Sequence, residues 1–120
     1  MPKTRLTVVE LREFAARNPL SEEETSALIE HLSRYPTSGP VIRGTGGVRK
    51  LRWAIGAKGK SGGARIIYYV YNRSFPLFLI TAFRKTVRVD LTQTERNELK
   101  QLTDRLISAY RSAGPKGEPG

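Results

Sequence analysis

Lysine and arginine dominate the side chains placed to do chemistry in the middle of this chain. No Asp or Glu stands between Glu30 and Asp90, while twelve Lys or Arg fall in residues 31–89. The other 9 of the 21 basic residues share the flanks with all 11 acidic ones, so the flanks sum to −2 and the middle to +12, giving a net charge of +10. A field of one sign confined to half of a small protein points to a polyanionic partner, whereas a scattered excess would serve only solubility. Nucleic acid is the first candidate. Cations also suffice for one reaction on it. A lysine crowded by other cations has its pKa lowered and can act as a base, and an arginine can hold the developing charge of a phosphorane. RNA brings its own nucleophile, the 2′-hydroxyl. In-line attack on the adjacent phosphate then needs alignment, deprotonation, charge stabilisation and protonation of the leaving group, all within reach of a metal-free basic site.

Other chemistries are poorly supplied. The absence of cysteine removes disulfides, zinc-thiolate sites and a catalytic thiol, and fits a reducing cytosol. The single histidine, His31, lies beside the apolar stripe of a helical pattern and reads as a surface or packing residue. Residues 54–61 match a loose phosphate-loop pattern in which Ala54 replaces the first glycine. A true phosphate loop follows a parallel strand and opens a helix. Here Arg65-Ile66-Ile67-Tyr68-Tyr69-Val70 follows, which is strand-forming, so the glycines and lysines read instead as a cationic hairpin tip against a nucleic-acid backbone. The N-terminus shows no apolar leader, and no run approaches the roughly 20 apolar residues of a membrane span, so a soluble, cytoplasmic protein is expected.

These groups need a scaffold, and 120 residues suit one domain, expected over residues 1–113, with the core-poor Gly/Pro segment 114–120 as a disordered tail. Residues 5–9 read as a short strand, and Leu11, Phe14 and Ala15 as a short helix ending at Asn18-Pro19. Ser21 and Glu24 form a capping box before Leu28, Ile29, Leu32 and Tyr35 at helical spacing, and Pro36 stops that pattern. After a brief Val41-Ile42 strand come three more, at 48–55, 64–72 and 77–83, whose short connections imply an antiparallel meander. Thr92 and Glu95 cap a terminal helix with Leu99, Leu102, Leu106, Ile107 and Tyr110 on one face. The class is α+β: a small antiparallel sheet of three to four strands, two N-terminal helices and one C-terminal helix. Alternation places Lys50 and Arg52 on one side of their strand, Arg65, Ile67, Tyr69 and Tyr71 on one side of the next, and Thr81, Phe83 and Lys85 on one parity of the third. With helices on the opposite side, these residues line a wet face of cations for phosphates and tyrosines for stacked bases, better suited to RNA than to duplex DNA.

The run Gly44-Thr45-Gly46-Gly47-Val48-Arg49-Lys50-Leu51-Arg52-Trp53-Ala54, with Gly59-Lys60-Ser61-Gly62-Gly63-Ala64-Arg65-Ile66-Ile67-Tyr68-Tyr69 and Asp90-Leu91-Thr92, resembles the HigB branch of the RelE-like bacterial toxins. The likeness covers about residues 20–110. It implies a RelE-like fold and a type II toxin that cleaves mRNA on the ribosome without a metal or other cofactor. It also implies silencing by a cognate antitoxin, with DNA bound only indirectly through the toxin–antitoxin complex. By the same resemblance Arg65 is a phosphate or transition-state ligand, Lys85 the base or electrophile, and Lys50 and Arg52 bind the RNA backbone, with Arg52 grouped with the catalytic set. Lys58 and Lys60 engage messenger or ribosomal RNA. Trp53 is expected in the core, and Arg49 in service of the fold or the antitoxin.

One departure separates the chain from that pattern. Many relatives carry Lys-Asn-Glu before the Asp-Leu-Thr and a tyrosine at the position of Phe83, whereas here Lys85 is followed by Thr86-Val87. Arg84 and Arg88 add positive charge and strengthen RNA binding. Two functions therefore stay open, a ribosome-dependent endoribonuclease and a non-catalytic RNA- or ribosome-binding module on the same fold. A DNA-binding regulator acting alone would need a basic recognition helix, and the expected helices carry the acidic residues instead.

Overall fold

Two runs show no polar alternation, Ile66-Ile67-Tyr68-Tyr69 and Leu77-Phe78-Leu79-Ile80, and such runs suit strands buried on both faces. They are the central strands of the computed structural model, which describes residues 5–55, 63–87 and 90–117. The order is β1 (Val8–Glu10), α1 (Arg12–Arg17), α2 (Glu22–Arg34), β2 (Arg49–Trp53), β3 (Ala64–Tyr69), β4 (Leu77–Arg84) and α3 (Gln93–Gly117). This is an α+β fold, with a four-stranded sheet ordered β1-β4-β3-β2.

β2, β3 and β4 form the expected antiparallel meander. β1 does not continue it. It lies parallel to β4, Val8 opposite Leu77, so the sheet is mixed rather than antiparallel. Leu77 N–H donates to Thr7 O at 2.9 Å and Leu11 N–H to Leu79 O at 2.9 Å, which satisfies the outer edge of a strand otherwise deep in the core.

Helices cover both faces. Phe14 of α1 and Leu28 and Leu32 of α2 pack with Ile66, Tyr68 and Leu79 on one side. On the other, Leu99 of α3, with Leu102 and Leu106 beside it, meets Ile67, Tyr69, Phe78 and Ile80. The expectation of one wholly wet face is therefore corrected: α3 buries much of it, and Tyr69, expected as a stacking platform, is 3% exposed. A bulge on β4 serves this packing. Ile67 faces Thr81 while Tyr68 faces Leu79, so Ile80 is an extra residue. Phe78 and Ile80 thus both reach the α3 core, and beyond them Thr81 and Phe83 still align with Ile67 and Arg65.

Both capping boxes form. Ser21 Oγ accepts from Glu24 N–H at 3.1 Å and Glu24 Oε1 from Ser21 N–H at 2.9 Å; Thr92 and Glu95 repeat the pattern at 3.1 and 2.8 Å. Tyr35 is the C-cap of α2 and 58% exposed instead of joining the stripe, because Pro36 turns the chain there. The Val41-Ile42 strand is only a single bridge, Val41 to Arg49. The α3 backbone continues through residues 114–117, which composition assigned to a tail. No helix among the described residues is long and apolar enough to cross a membrane.

Candidate nucleic-acid interface

The end of the sheet where β2 finishes, β3 begins and β4 finishes gathers the cations. Arg52 lies opposite Arg65, and Arg65 opposite Phe83; the neighbouring row is Lys50, Ile67 and Thr81. Cross-strand partners share a face, so Lys50, Arg52, Arg65 and Phe83 stand on one side of the sheet. It is the side of α3, left open at this end.

Arg65 is the centre of the group. It is 8% exposed and, among the described residues, its guanidinium has no carboxylate or hydrogen-bond partner. Of the buried side-chain donors described, only Arg49 Nε is both sealed from solvent and unpartnered, so the Arg65 head still reaches water from a buried stem. A guanidinium whose donors are not spent on described residues has the fork geometry to grip a phosphate. Arg52 is exposed on the strand beside it.

Lys85 stands in the turn that follows β4, exposed, and its backbone N–H donates to Gly63 O at 3.0 Å. That bond fixes it beside the start of β3, two residues from Arg65. Arg84 aligns instead with Ala64 and Trp53, on the opposite face. Lys58, Lys60 and Arg88 lie outside the described residues. The strand context of a phosphate loop is not met, because β2 and β3 are antiparallel and the segment after the glycines is β3 itself.

Two residues of this face were not singled out from sequence. Asp90 Oδ1 accepts from Lys50 Nζ at 3.3 Å, and Asp90 Oδ2 from Arg96 Nη2 of α3 at 3.4 Å. The backbone N–H of Leu91, followed by Lys50 and Arg96, holds the Asp90 carboxyl below the usual carboxylate range. The signal was present: Asp90 is the first carboxylate after the acid-free stretch and sits two residues before the Thr92 cap, which returns α3 to the sheet.

The Gly39 and Arg49 region belongs to the opposite end of β3. Arg49 Nη1 donates to Gly39 O at 2.7 Å, Gly39 N–H donates to the Tyr68 hydroxyl at 2.9 Å, and that hydroxyl donates to Pro36 O at 2.9 Å. Burial pushes the Tyr68 phenol above its ordinary value, against the hydrogen bond from Gly39. Trp53 packs against the core and lies 5.4 Å, ring to ring, from His31, whose Nε2 is 3.0 Å from Ser38 Oγ. His31 is thus a packing residue. Gly46, at φ +80, approaches α3 so closely that a Cβ there would stand 2.8 Å from Thr103 Oγ1, so the glycine-rich loop 44–47 is a docking element for that helix.

Among the described residues, no three His, Asp, Glu or Cys side chains gather as a metal site would require. What the face offers is cationic: anchorage for phosphates and stabilisation of charge developing on them. No family model matches the chain.

Proposed function

We propose that this protein is a RelE-like toxin of the HigB branch, a metal-independent endoribonuclease acting on mRNA at the ribosome and held in check by an antitoxin. The observation that carries this reading is Arg65, nearly buried, without an anionic partner among the described residues, and flanked by Arg52 and by Lys50, which itself meets Asp90. A guanidinium that spends no donor on a described protein acceptor and still reaches solvent is open to a ligand. RNA phosphate fits its fork and the local field.

In this mechanism the scissile phosphate sits on Arg65, with Arg52 and Lys50 on the flanking backbone. The 2′-hydroxyl loses its proton to a basic group, with Lys85 the nearest candidate by chain position, and attacks phosphorus. Arg65 stabilises the extra charge of the pentacoordinate phosphorane. The 5′-oxygen then leaves with a proton, giving a 2′,3′-cyclic phosphate and a 5′-hydroxyl end.

A second reading has its own support. Thr86 and Val87 replace the Asn and Glu of the resembled pattern, and Val87 is 72% exposed, an apolar side chain beside the reacting position. A module that binds RNA or ribosomes without cutting would look the same elsewhere. Induction of wild type, Arg65→Met and Lys85→Ala from a tight promoter, with mRNA 5′ ends mapped with and without translation, separates the two. New translation-dependent 5′-hydroxyl ends, lost in both variants, support cleavage. Unchanged ends with ribosome co-sedimentation support the binding module, and neither result leaves both readings standing.

A further inference from the structure

We infer that Lys50 and Arg96 form a second phosphate subsite beside Arg65, occupied in the free protein by the carboxylate of Asp90, which RNA must displace. The inference rests on the reading of this face as an RNA surface and adds to it an internal competitor. Three observations carry it. Asp90 is the first carboxylate after Glu30, yet it stands against the cationic face. Its two oxygens divide between cations of two different elements, Lys50 on β2 and Arg96 on α3, the spread of donors that a bridging phosphate uses. Both contacts are long, at 3.3 and 3.4 Å, and reached by solvent, the Asp90 side chain being 46% exposed and those of Lys50 and Arg96 29% and 25%; solvent-reached ion pairs are worth roughly 0–1 kcal/mol, weak enough for an incoming phosphate to replace.

The arrangement has a defined purpose. In the unliganded state two cations are held in position with half of their charge cancelled, so the face is preorganised with less self-repulsion than an uncompensated cluster would have. Lys50 is the cross-strand neighbour of Ile67, one row from Arg65, so the two subsites are spaced along the sheet as successive phosphates of a single strand would be. On binding, RNA takes Lys50 and Arg96, and Asp90 is released to solvent while Oδ1 keeps its hydrogen bond from Leu91 N–H at 2.8 Å.

The test uses the full chain and a 2′-O-methyl oligoribonucleotide, which binds but lacks the nucleophile. Asp90→Asn, which retains the acceptor for Leu91, should bind about five- to tenfold more tightly at low salt, with the slope of log K against log salt steeper by about one. Asp104→Asn removes the same charge about two turns beyond Arg96 on α3, roughly 12 Å along the helix axis, and should change affinity by less than about twofold. Lys50→Met should cost about twofold in the wild type and about tenfold in Asp90→Asn, because only the second background leaves Lys50 unpaired. Equal gains from Asp90→Asn and Asp104→Asn, additive effects of Asp90 and Lys50, or weaker binding by a folded Asp90→Asn would each overturn the displacement. If the wild type binds and those outcomes appear, only this inference fails. If neither wild type nor Asp90→Asn binds the oligonucleotide, the RNA reading itself falls and the inference with it. Thermal unfolding of each variant confirms that a folded chain was tested.

Discussion

Arg65 and Arg49 sit at opposite ends of the same pair of strands, and their surroundings differ in where the guanidinium donors go. Arg49 turns Nη1 to the chain, reaching Gly39 O and, more weakly, Thr37 O, with the Tyr68 hydroxyl in the same loop, while its Nε is buried without a partner. Arg65 is more deeply buried yet meets no protein acceptor among the described residues. The Arg65 head reaches water with its donors unspent, so under the function proposed above it is the one of the two that can meet a phosphate without first giving up a bond to the chain. The teaching is that burial and charge do not mark a site until the destination of each donor has been traced.

Substitution should break this contrast most sharply at Arg65. Arg65→Met should lower RNA cleavage by at least about 100-fold while shifting stability by less than about 1 kcal/mol, read by 5′-end yield and by denaturant unfolding. Loss of stability with intact cleavage would make Arg65 a second Arg49. The mirror substitution, Arg49→Met, should destabilise the fold by about 2 kcal/mol, because Gly39 O is left without its donor, and leave the RNA affinity of the folded protein unchanged.

Finer changes sharpen the same contrast. Tyr68→Phe removes the acceptor for Gly39 N–H and the donor to Pro36 O, and should cost about 1–2 kcal/mol. The phenol's folded pKa is raised above its ordinary 10.0, so its contribution is complete below that value and lost as pH rises through the folded one. The alkaline fall in stability should therefore be shallower in Tyr68→Phe than in the wild type, as followed by circular dichroism. The smallest effect belongs to Asp90. Its carboxyl lies below the ordinary 3.8, so the contribution is present above that value and lost as pH falls through the folded one; Asp90→Asn should flatten the acid limb slightly.

Much of this was legible in the chain. Both capping boxes, the three meander strands and the concentration of cations follow from residue type and spacing. The double burial of the sheet was written in Ile66-Ile67-Tyr68-Tyr69, where polar alternation is missing, but period-two counting alone places Tyr69 on an open face. The bulge at Ile80 could not be read, since one inserted residue among Leu77-Phe78-Leu79-Ile80 leaves an apolar run apolar. Nor could Arg96 be assigned to the face, because it joins through Asp90, across a sequence gap that only the return of α3 closes.

The parallel pairing of β1 with β4 sets a timetable for the chain. Val8 meets Leu77, 69 positions later, whereas β2, β3 and β4 need only near neighbours. Closing so long a loop comes at an entropic cost that local hairpins avoid, so the N-terminal strand should dock late and set the pace of folding. During synthesis the first strand must wait, without its place in the sheet, until the fourth has left the exit tunnel. The cationic rows of the meander can assemble sooner, before the N-terminal edge is sealed.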